Sequence, residues 1–321
     1  MTVTVAIPVW NGGPTLERVL DAVRGQRLPD GESPQLLVCD SGSSDGSAAL
    51  ARARGAEVIE IAPAEFSHGG TRNLLMERSE GSHVAFLTQD AVPADEEWLP
   101  RLLGGFELAD DVALAFGPYL PSEDASPMVA RELTEWFAGL SPSDKPRIDR
   151  LGADERAIPV GDLLGRRGFF TDANGCVARA AWESVPFRPV RYAEDHVLAH
   201  DMLRAGFAKV FVPAAAVVHS HEYSAWGWLQ RSFDEARAVH EVYGFQEGGR
   251  LRPAALGVWG RLRSDLRWAR AHPGRVDGPE ALLAARSLEH HLMRAAGTML
   301  GTRADRLPAS LVRRLSLERR A

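Results

Sequence analysis

The sequence predicts an α/β fold: a mainly parallel, Rossmann-like sheet flanked by helices, followed by a helical C-terminal extension. Three observations carry this. In the first third of the chain, short β-branched apolar runs alternate with amphipathic helical segments, as in a parallel sheet with right-handed crossovers. The polar and unusual residues gather where those runs end, at Trp10-Asn11, Asp40-Ser41-Gly42, Phe66 to Asn73 and Gln89-Asp90. From Ala225 onward the strand signal disappears and everything reads as helix.

TVTVAIPVW is the first strand, stopped by Asn11-Gly12-Gly13. Pro14 opens a helix that places Leu16, Val19, Leu20 and Val23 on one face. QLLVCD is a short buried strand, SGSSDGS a loop, and Ala48 to Arg54 a small helix. AEVIEIA is the third strand, FSHGG the loop after it, and Thr71 to Arg78 a helix. HVAFLTQD is the fourth strand, and Trp98, Leu102, Leu103 and Phe106 form the apolar stripe of the next helix. Residues 121–170 are rich in Pro, Asp and Arg and read as a helix plus a long loop. FFTDANGCVAR reads as a strand with a turn, AEDHVLAHDMLRAGF as a helix begun by an acidic pair, and AKVFVPAAAVVHSHEYS as a strand leading into a histidine-rich turn. The C-terminal helices break near Pro253, Pro273, Pro279 and Pro308. The expected division is a catalytic domain over 1–240 and a basic helical extension over 241–321.

The chain has 321 residues, 45% hydrophobic and 25% charged, with a formal net charge of -6. Such a balance excludes a general nucleic-acid binder. The charge is unevenly spread: residues 251–321 hold fourteen Arg, no Lys and six acidic residues, a net of +8. An acidic body with a basic tail points to an anionic partner for the tail or to docking on the body. Cys39 and Cys176 lie in separate strand-like runs, which excludes a disulfide framework or zinc-type spacing and fits a reduced, cytosolic setting. MTVTVAIPVW has no basic n-region and no apolar run reaches the ~18 residues of a membrane span, so neither signal peptide nor transmembrane helix is expected.

In an open α/β sheet, ligands bind beyond the carboxyl ends of the strands. Asp40 there is either a turn and helix cap or an acceptor for a nucleotide base or ribose. Neither GxGxxG nor GxxxxGK[ST] occurs, which disfavours a dinucleotide site and a P-loop. Asp90 is either a cap or a ligand for a divalent cation on a diphosphate; Mg²⁺ commonly takes one or two carboxylates plus substrate phosphates. Glu194-Asp195 opens a helix, where acids are favoured by the macrodipole, but where one carboxylate is also placed to act as a general base. His219 and His221 share a face at a strand end and serve either a loop or a metal and phosphate. In FSHGGTRN, Gly69-Gly70 would let backbone amides crowd a pyrophosphate, with Arg72 adding a permanent charge.

The ordered set PVWNGG, DSGSSDGS, FSHGGTRN, FLTQDAVP, AEDHVLAHDMLRAGF and VHSHEYS resembles the family 2 glycosyltransferases, and within them the bacterial rhamnosyltransferase-like branch. The likeness spans about residues 3–240. It implies a type-A glycosyltransferase (GT-A) fold and inverting transfer from a nucleotide-sugar. It assigns the nucleoside site to Pro8, Trp10, Asn11, Asp40 and Ser43. The donor's phosphate and sugar fall to Gly69, Gly70, Arg72, Asn73 and Gln89. The metal-site stretch becomes Gln89-Asp90-Ala91, holding Mg²⁺ or Mn²⁺ on Asp90 with His219 or His221. One carboxylate of the usual pair is missing. Asp195, beside Glu194, is the implied base. The Gly-Arg-Gln and Asn-Tyr-Pro stretches common in the branch are absent.

The resulting expectation is transfer of L-rhamnose from dTDP-rhamnose to a hydroxyl of a glycan, lipid-linked or small-molecule acceptor. The expected setting is cytoplasmic, with peripheral contact at the inner face of the membrane, or a homodimer, through the C-terminal helices. Two alternatives stay open: a nucleotidyltransferase, against which the absence of any basic residue before Arg18 argues, and a non-catalytic nucleotide-sugar-binding accessory protein.

Overall fold

The computed structural model of the chain describes residues 2–29, 31–141, 143–157, 167–243, 251–276 and 278–317. It divides into two units, one made of Met1–Leu120 and Thr134–His219, the other of Pro121–Leu133 and Ser220–Ala321.

The first unit opens with β1 (Val3–Val9), α1 (Gly13–Arg24), β2 (Gln35–Asp40), α2 (Ser47–Ala53), β3 (Glu57–Glu60), α3 (His68–Arg78) and β4 (His83–Leu87). The expected α1 stripe of Leu16, Val19, Leu20 and Val23 is buried under the sheet. Helix α3 begins one turn earlier than the sequence predicts, because Ser67 caps it: its Oγ accepts from the Gly70 amide at 3.2 Å. The chain continues through β5 (Val92–Pro93), α4 (Trp98–Gly104), β6 (Val112–Phe116), β7 (Tyr119–Leu120), α5 (Pro127–Ala138), β8 (Arg147–Asp149), β9 (Asn174–Ala178), α6 (Arg179–Ser184), α7 (Glu194–Ala205), β10 (Ala208–Phe211) and β11 (Val217–Val218). Helix α5 runs across the division of the chain. The long segment expected before β9 includes residues 158–166, which lie outside the described residues.

Eight strands form one sheet in the order β3-β2-β1-β4-β9-β6-β10-β8. β1 to β4 pair in parallel, as do β6 and β10, but β9 runs antiparallel between β4 and β6. That reversal matters. The start of β9 lies at the edge where β4 and β6 end: Asn174 is level with Leu87, and Gly175 with Phe116. The stretch AKVFVPAAAVVHSHEYS, read as a strand leading into a histidine-rich turn, holds two strands, β10 staying in the large sheet and β11 joining β5 and β7 in a three-stranded sheet.

The second unit contains α8 (Ala225–Tyr243), α9 (Leu251–Ala271), α10 (Glu280–Gly301) and α11 (Ala309–Leu315). α8 and α10 touch backbone to backbone. A Cβ on Gly297 would lie 2.2 Å from the Leu229 carbonyl oxygen, and one on Gly301 2.3 Å from that of Phe233. This packing explains why α8 falls with the C-terminal helices in the second unit. Pro273 and Pro279 separate α9 from α10, and Pro308 precedes α11. Pro253 instead sits in the first turn of α9, and residues 244–250 before it lie outside the described residues. Among the described residues no helix is long and apolar enough to cross a membrane.

Candidate active site

The first part of the site is a knot of two loops at the ends of β1 and β2. Asp40 is 3% exposed, and its Oδ1 accepts from the amides of Gly42 (3.0 Å) and Ser43 (2.9 Å). Its Oδ2 is buried and accepts no hydrogen bond among the described residues. A buried carboxylate oxygen without a donor is costly unless a ligand supplies one. Asn11 adopts a left-handed φ of 51° and accepts from the Ser44 amide at 2.8 Å, while its own amide donates to Ser43 Oγ at 2.8 Å. Ser47 Oγ and Asp45 take the amides of Gly12 and Gly13. Pro8 ends β1 beyond its β4 pairing, where a residue without N–H is tolerated, and the Trp10 ring is 61% exposed.

Gln89 departs from the expected role. Its Oε1 accepts from the Trp10 amide (2.8 Å) and its Nε2 donates to the Trp10 carbonyl (3.1 Å), so its amide fastens the end of β4 to the end of β1. Asp90 is half-buried, with Oδ1 3.4 Å from His219 Nδ1. The His219 ring meets the edge of Tyr119 with centroids 4.9 Å apart. His221, two residues on in the second unit, is exposed and stacks on Tyr223. A carboxylate oxygen and an imidazole nitrogen are suitable donors for a divalent cation.

Arg72 lies among the chain's own acidic residues. It is 4% exposed and enclosed by the protein's own acceptors. Nη2 donates to Asp172 Oδ1 at 2.8 Å, Nε meets Asp172 Oδ2, Nη1 lies 2.9 Å from Glu194 Oε1, and Nη1 also donates to the His68 carbonyl at 3.0 Å. Its charge is matched from within by Asp172 and Glu194. Asn73 is likewise committed: it donates to the Phe187 carbonyl and accepts from Trp182 Nε1 and the Phe187 amide. The glycines answer to the same neighbourhood. A Cβ on Gly69 would lie 2.4 Å from the Arg188 carbonyl oxygen, and one on Gly70 2.4 Å from Ser67 Oγ. What approaches Gly69-Gly70 so closely is this chain's own backbone and cap.

The acidic pair is held by strain. Ala193, which caps α7, has a φ of 60°, an uncommon state for a residue with a Cβ. This kink turns Glu194 inward to Arg72 and leaves Asp195 half-buried beside it. Asp195 Oδ1 accepts its neighbour's amide, His196 N, at 2.8 Å. Burial raises the Asp195 carboxyl above the ordinary range; His196 and Arg72 oppose that, and the Asp172 charge adds to it. Burial likewise raises Asp172, which shares Arg72 with Glu194.

Two residues escaped the sequence reading. Asp172 precedes β9, and only the antiparallel course of that strand brings it to the rim. Tyr119 bonds Thr171 and has its phenol ionisation opposed first by burial, then by Asp195, Asp172 and Asp90. Three carboxylates from three parts of the chain thus act electrostatically on one phenol. The available signal was TDANG itself, an Asp two residues before a fully buried Asn174 that ties Trp98, Pro118 and Ala215 together.

A mainly parallel sheet with a carboxylate-lined rim at its strand ends defines this chain as a glycosyltransferase of the GT-A fold. It belongs to glycosyl transferase family 2, whose model matches residues 4–168. An O-antigen chain rhamnosyltransferase of Salmonella typhimurium is 31% identical over 239 residues, covering 73% of this chain and 71% of the relative. A second, from Salmonella anatum, is 30% identical over 236 residues, covering 72% and 70%. Among solved structures, a mannosyltransferase of Pyrobaculum calidifontis in complex with GDP-Man and Mn²⁺ superposes with a TM-score of 0.59 at 15% identity, covering 93% of this chain and 86% of that one. Family membership sets aside the nucleotidyltransferase alternative.

Proposed function

We propose that this enzyme moves L-rhamnose from dTDP-rhamnose to a hydroxyl of a glycan or lipid-linked acceptor, inverting the anomeric centre. The rhamnosyl donor rests on the two O-antigen rhamnosyltransferase relatives. The observation that carries the mechanism is geometric: Asp90 faces His219 at 3.4 Å, the His219 ring meets Tyr119, and Asp172 and Glu194, next to Asp195, share Arg72.

In this reading the nucleoside lies on the β1 and β2 loops, with a base imide or ribose hydroxyl donating to Asp40 Oδ2. Asp90 and His219 would hold a divalent cation, Mg²⁺ or Mn²⁺. When bound, such a cation supplies positive charge beside the donor's diphosphate. Asp195 takes the proton of the acceptor hydroxyl as that oxygen attacks the anomeric carbon. A raised carboxyl pKa makes a better base once ionised, and Glu194, tied to Arg72, keeps the helix start in place. The basic C-terminal helices are the proposed contact with an anionic membrane bearing the acceptor.

The test is a donor screen with dTDP-, UDP- and GDP-sugars on wild type and Asp195→Asn. Consumption of dTDP-rhamnose, reduced by about 10²–10⁴-fold in Asp195→Asn with nucleotide binding kept, is expected. Near wild-type turnover by Asp195→Asn sinks the base; an inert dTDP-rhamnose beside another consumed donor sinks the sugar assignment alone.

A further inference from the structure

The helical unit contains a second constellation, made of Glu132 in the middle of α5 and His290 and His291 on α10. His290 is 4% exposed and His291 fully buried. His291 Nε2 lies 2.7 Å from Asp265 Oδ2. Asp265 also takes Arg131 Nε at 2.5 Å and Ser287 Oγ at 2.5 Å. Paired with Arg131, Asp265 is an acceptor, so the hydrogen in the His291 contact sits on Nε2. In the neutral ring Nδ1 is then a bare lone pair. It is buried, has no hydrogen-bond partner, and faces Glu132 Oε1 at 3.8 Å. His290 Nε2 is equally buried, makes no hydrogen bond of normal length, and faces Glu132 Oε2 across 3.8 Å.

Two imidazole nitrogens that point at one carboxylate from beyond hydrogen-bond range call for something between them. We propose that Glu132, His290 and His291 bind a divalent transition-metal ion of the zinc type, which joins α5 to α10. Three ligand atoms lie within 4.8 Å of one another. Metal–nitrogen and metal–oxygen bonds of about 2.0–2.2 Å span the 3.8 Å gap between His291 Nδ1 and Glu132 Oε1 at an angle near 130°, and His290 Nε2, which faces the other Glu132 oxygen, closes on the same point by a rotation of its side chain. Asp265 acts as the outer partner that fixes the His291 tautomer and ring, a recurrent support for metal-binding histidines. Arg294 pairs with Glu132 Oε2, the oxygen that faces His290, and Oε1, with Arg131 Nη2 at 3.8 Å, is the proposed metal ligand. Arg131 and Arg294 keep two positive charges nearby. The fourth ligand is therefore hydroxide or another anion, reached from the partly exposed Arg294 side.

The experiment uses the full chain with the rim ligands removed, as Asp90→Asn with His219→Asn, titrated with Zn²⁺ and with Co²⁺. One equivalent is expected to bind, with a tetrahedral Co²⁺ visible band, and a chelator is expected to lower Tm. Adding Glu132→Gln or His291→Ala, with the fold checked by circular dichroism, is expected to abolish both effects. The zinc K-edge spectrum of the loaded rim variant reads the ligands without touching this cluster, and two imidazoles are expected. No uptake at stoichiometric Zn²⁺, fewer than two imidazoles, or undiminished uptake by folded Glu132→Gln and His291→Ala overturns the proposal.

Discussion

Arg72 and Asp172, one hundred residues apart, meet as a two-pronged ion pair buried beneath the rim of the sheet. Glu194 shares the same guanidinium. Removing the cation would strand two buried carboxylates. Such losses cost about 3–5 kcal/mol, far more than surface pairs are worth. Arg72→Met is therefore expected to lower the midpoint of urea unfolding by a corresponding amount. A change within about 0.5 kcal/mol would mean that Arg72 is not the clamp of this cluster.

The same cluster sets a pH dependence. Asp195 must be ionised to act as a base, and burial raises its carboxyl, with the Asp172 charge adding to the rise. The acid limb of kcat/KM is expected above the ordinary carboxylate range, and Asp172→Asn is expected to move it to lower pH. Stability gives an independent check. The Asp172 carboxyl is pushed up, first by burial, from 3.8 to about 7. Its folded pKa exceeds the unfolded one, so its contribution is fully present below about pH 3.8 and is lost as pH rises towards 7. Asp172→Asn removes this slope. An unmoved acid limb together with an unchanged stability slope contradicts the coupling.

Much of this was legible in the sequence because parallel βα units announce themselves through period and punctuation. The α1 stripe, the Asp40 turn and the strand-end position of Asp90 follow from that pattern. What a sequence does not display is the direction of a strand that returns from afar. β9 reads as any apolar run, yet its antiparallel insertion brings Asp172 to the rim. Side-chain allegiance was equally hidden. Arg72 and Asn73 have the chemistry to hold a phosphate, but their partners come from residues 172, 182, 187 and 194, which spacing alone does not reveal. The Gly69-Gly70 pair misled for a related reason: close approach was the right inference, and the approaching group was the chain itself.

That correction can be tested directly. If Gly69 existed to admit a phosphate, Gly69→Ala would weaken donor binding in a normally stable protein. The Arg188 carbonyl oxygen at 2.4 Å from the new Cβ predicts the opposite. Overpacking of this kind costs about 1–3 kcal/mol. A lowered Tm is expected, with nucleotide affinity of the folded protein within about twofold of wild type by calorimetry. Normal stability with a tenfold loss of affinity would restore the phosphate explanation.

Asp40 makes a complementary case. Its Oδ1 serves the turn, and Oδ2 awaits a donor. Asp40→Asn can keep the turn acceptor while placing an NH₂ where an acceptor is needed. Nucleoside diphosphate affinity is expected to fall at least tenfold, about 1.4 kcal/mol, with Tm nearly unchanged. Equal affinity in wild type and variant would assign Asp40 to the turn alone.

The C-terminal helices pose the last test. On α9, Leu256, Trp259, Arg263, Arg267 and Arg270 are all exposed and recur at helical spacing, so they form one stripe. The Arg263 guanidinium lies 5.3 Å from the Trp259 ring centre. Leu256 is 74% and Trp259 51% exposed, and the segment from residue 251 onward carries a net of +8. An apolar tip followed by arginines is the composition of a helix that lies in an anionic interface, where each basic residue near the surface contributes about 1 kcal/mol. The expected result is flotation of the full chain with phosphatidylglycerol-containing vesicles and not with neutral ones, weakened by salt. Trp259→Ser with Leu256→Ser is expected to reduce flotation without lowering Tm, since neither side chain is buried. Salt should act on the arginines and the double substitution on the apolar tip, so the two effects should add. Flotation that resists both changes would place the membrane contact elsewhere, and none at low salt would remove it.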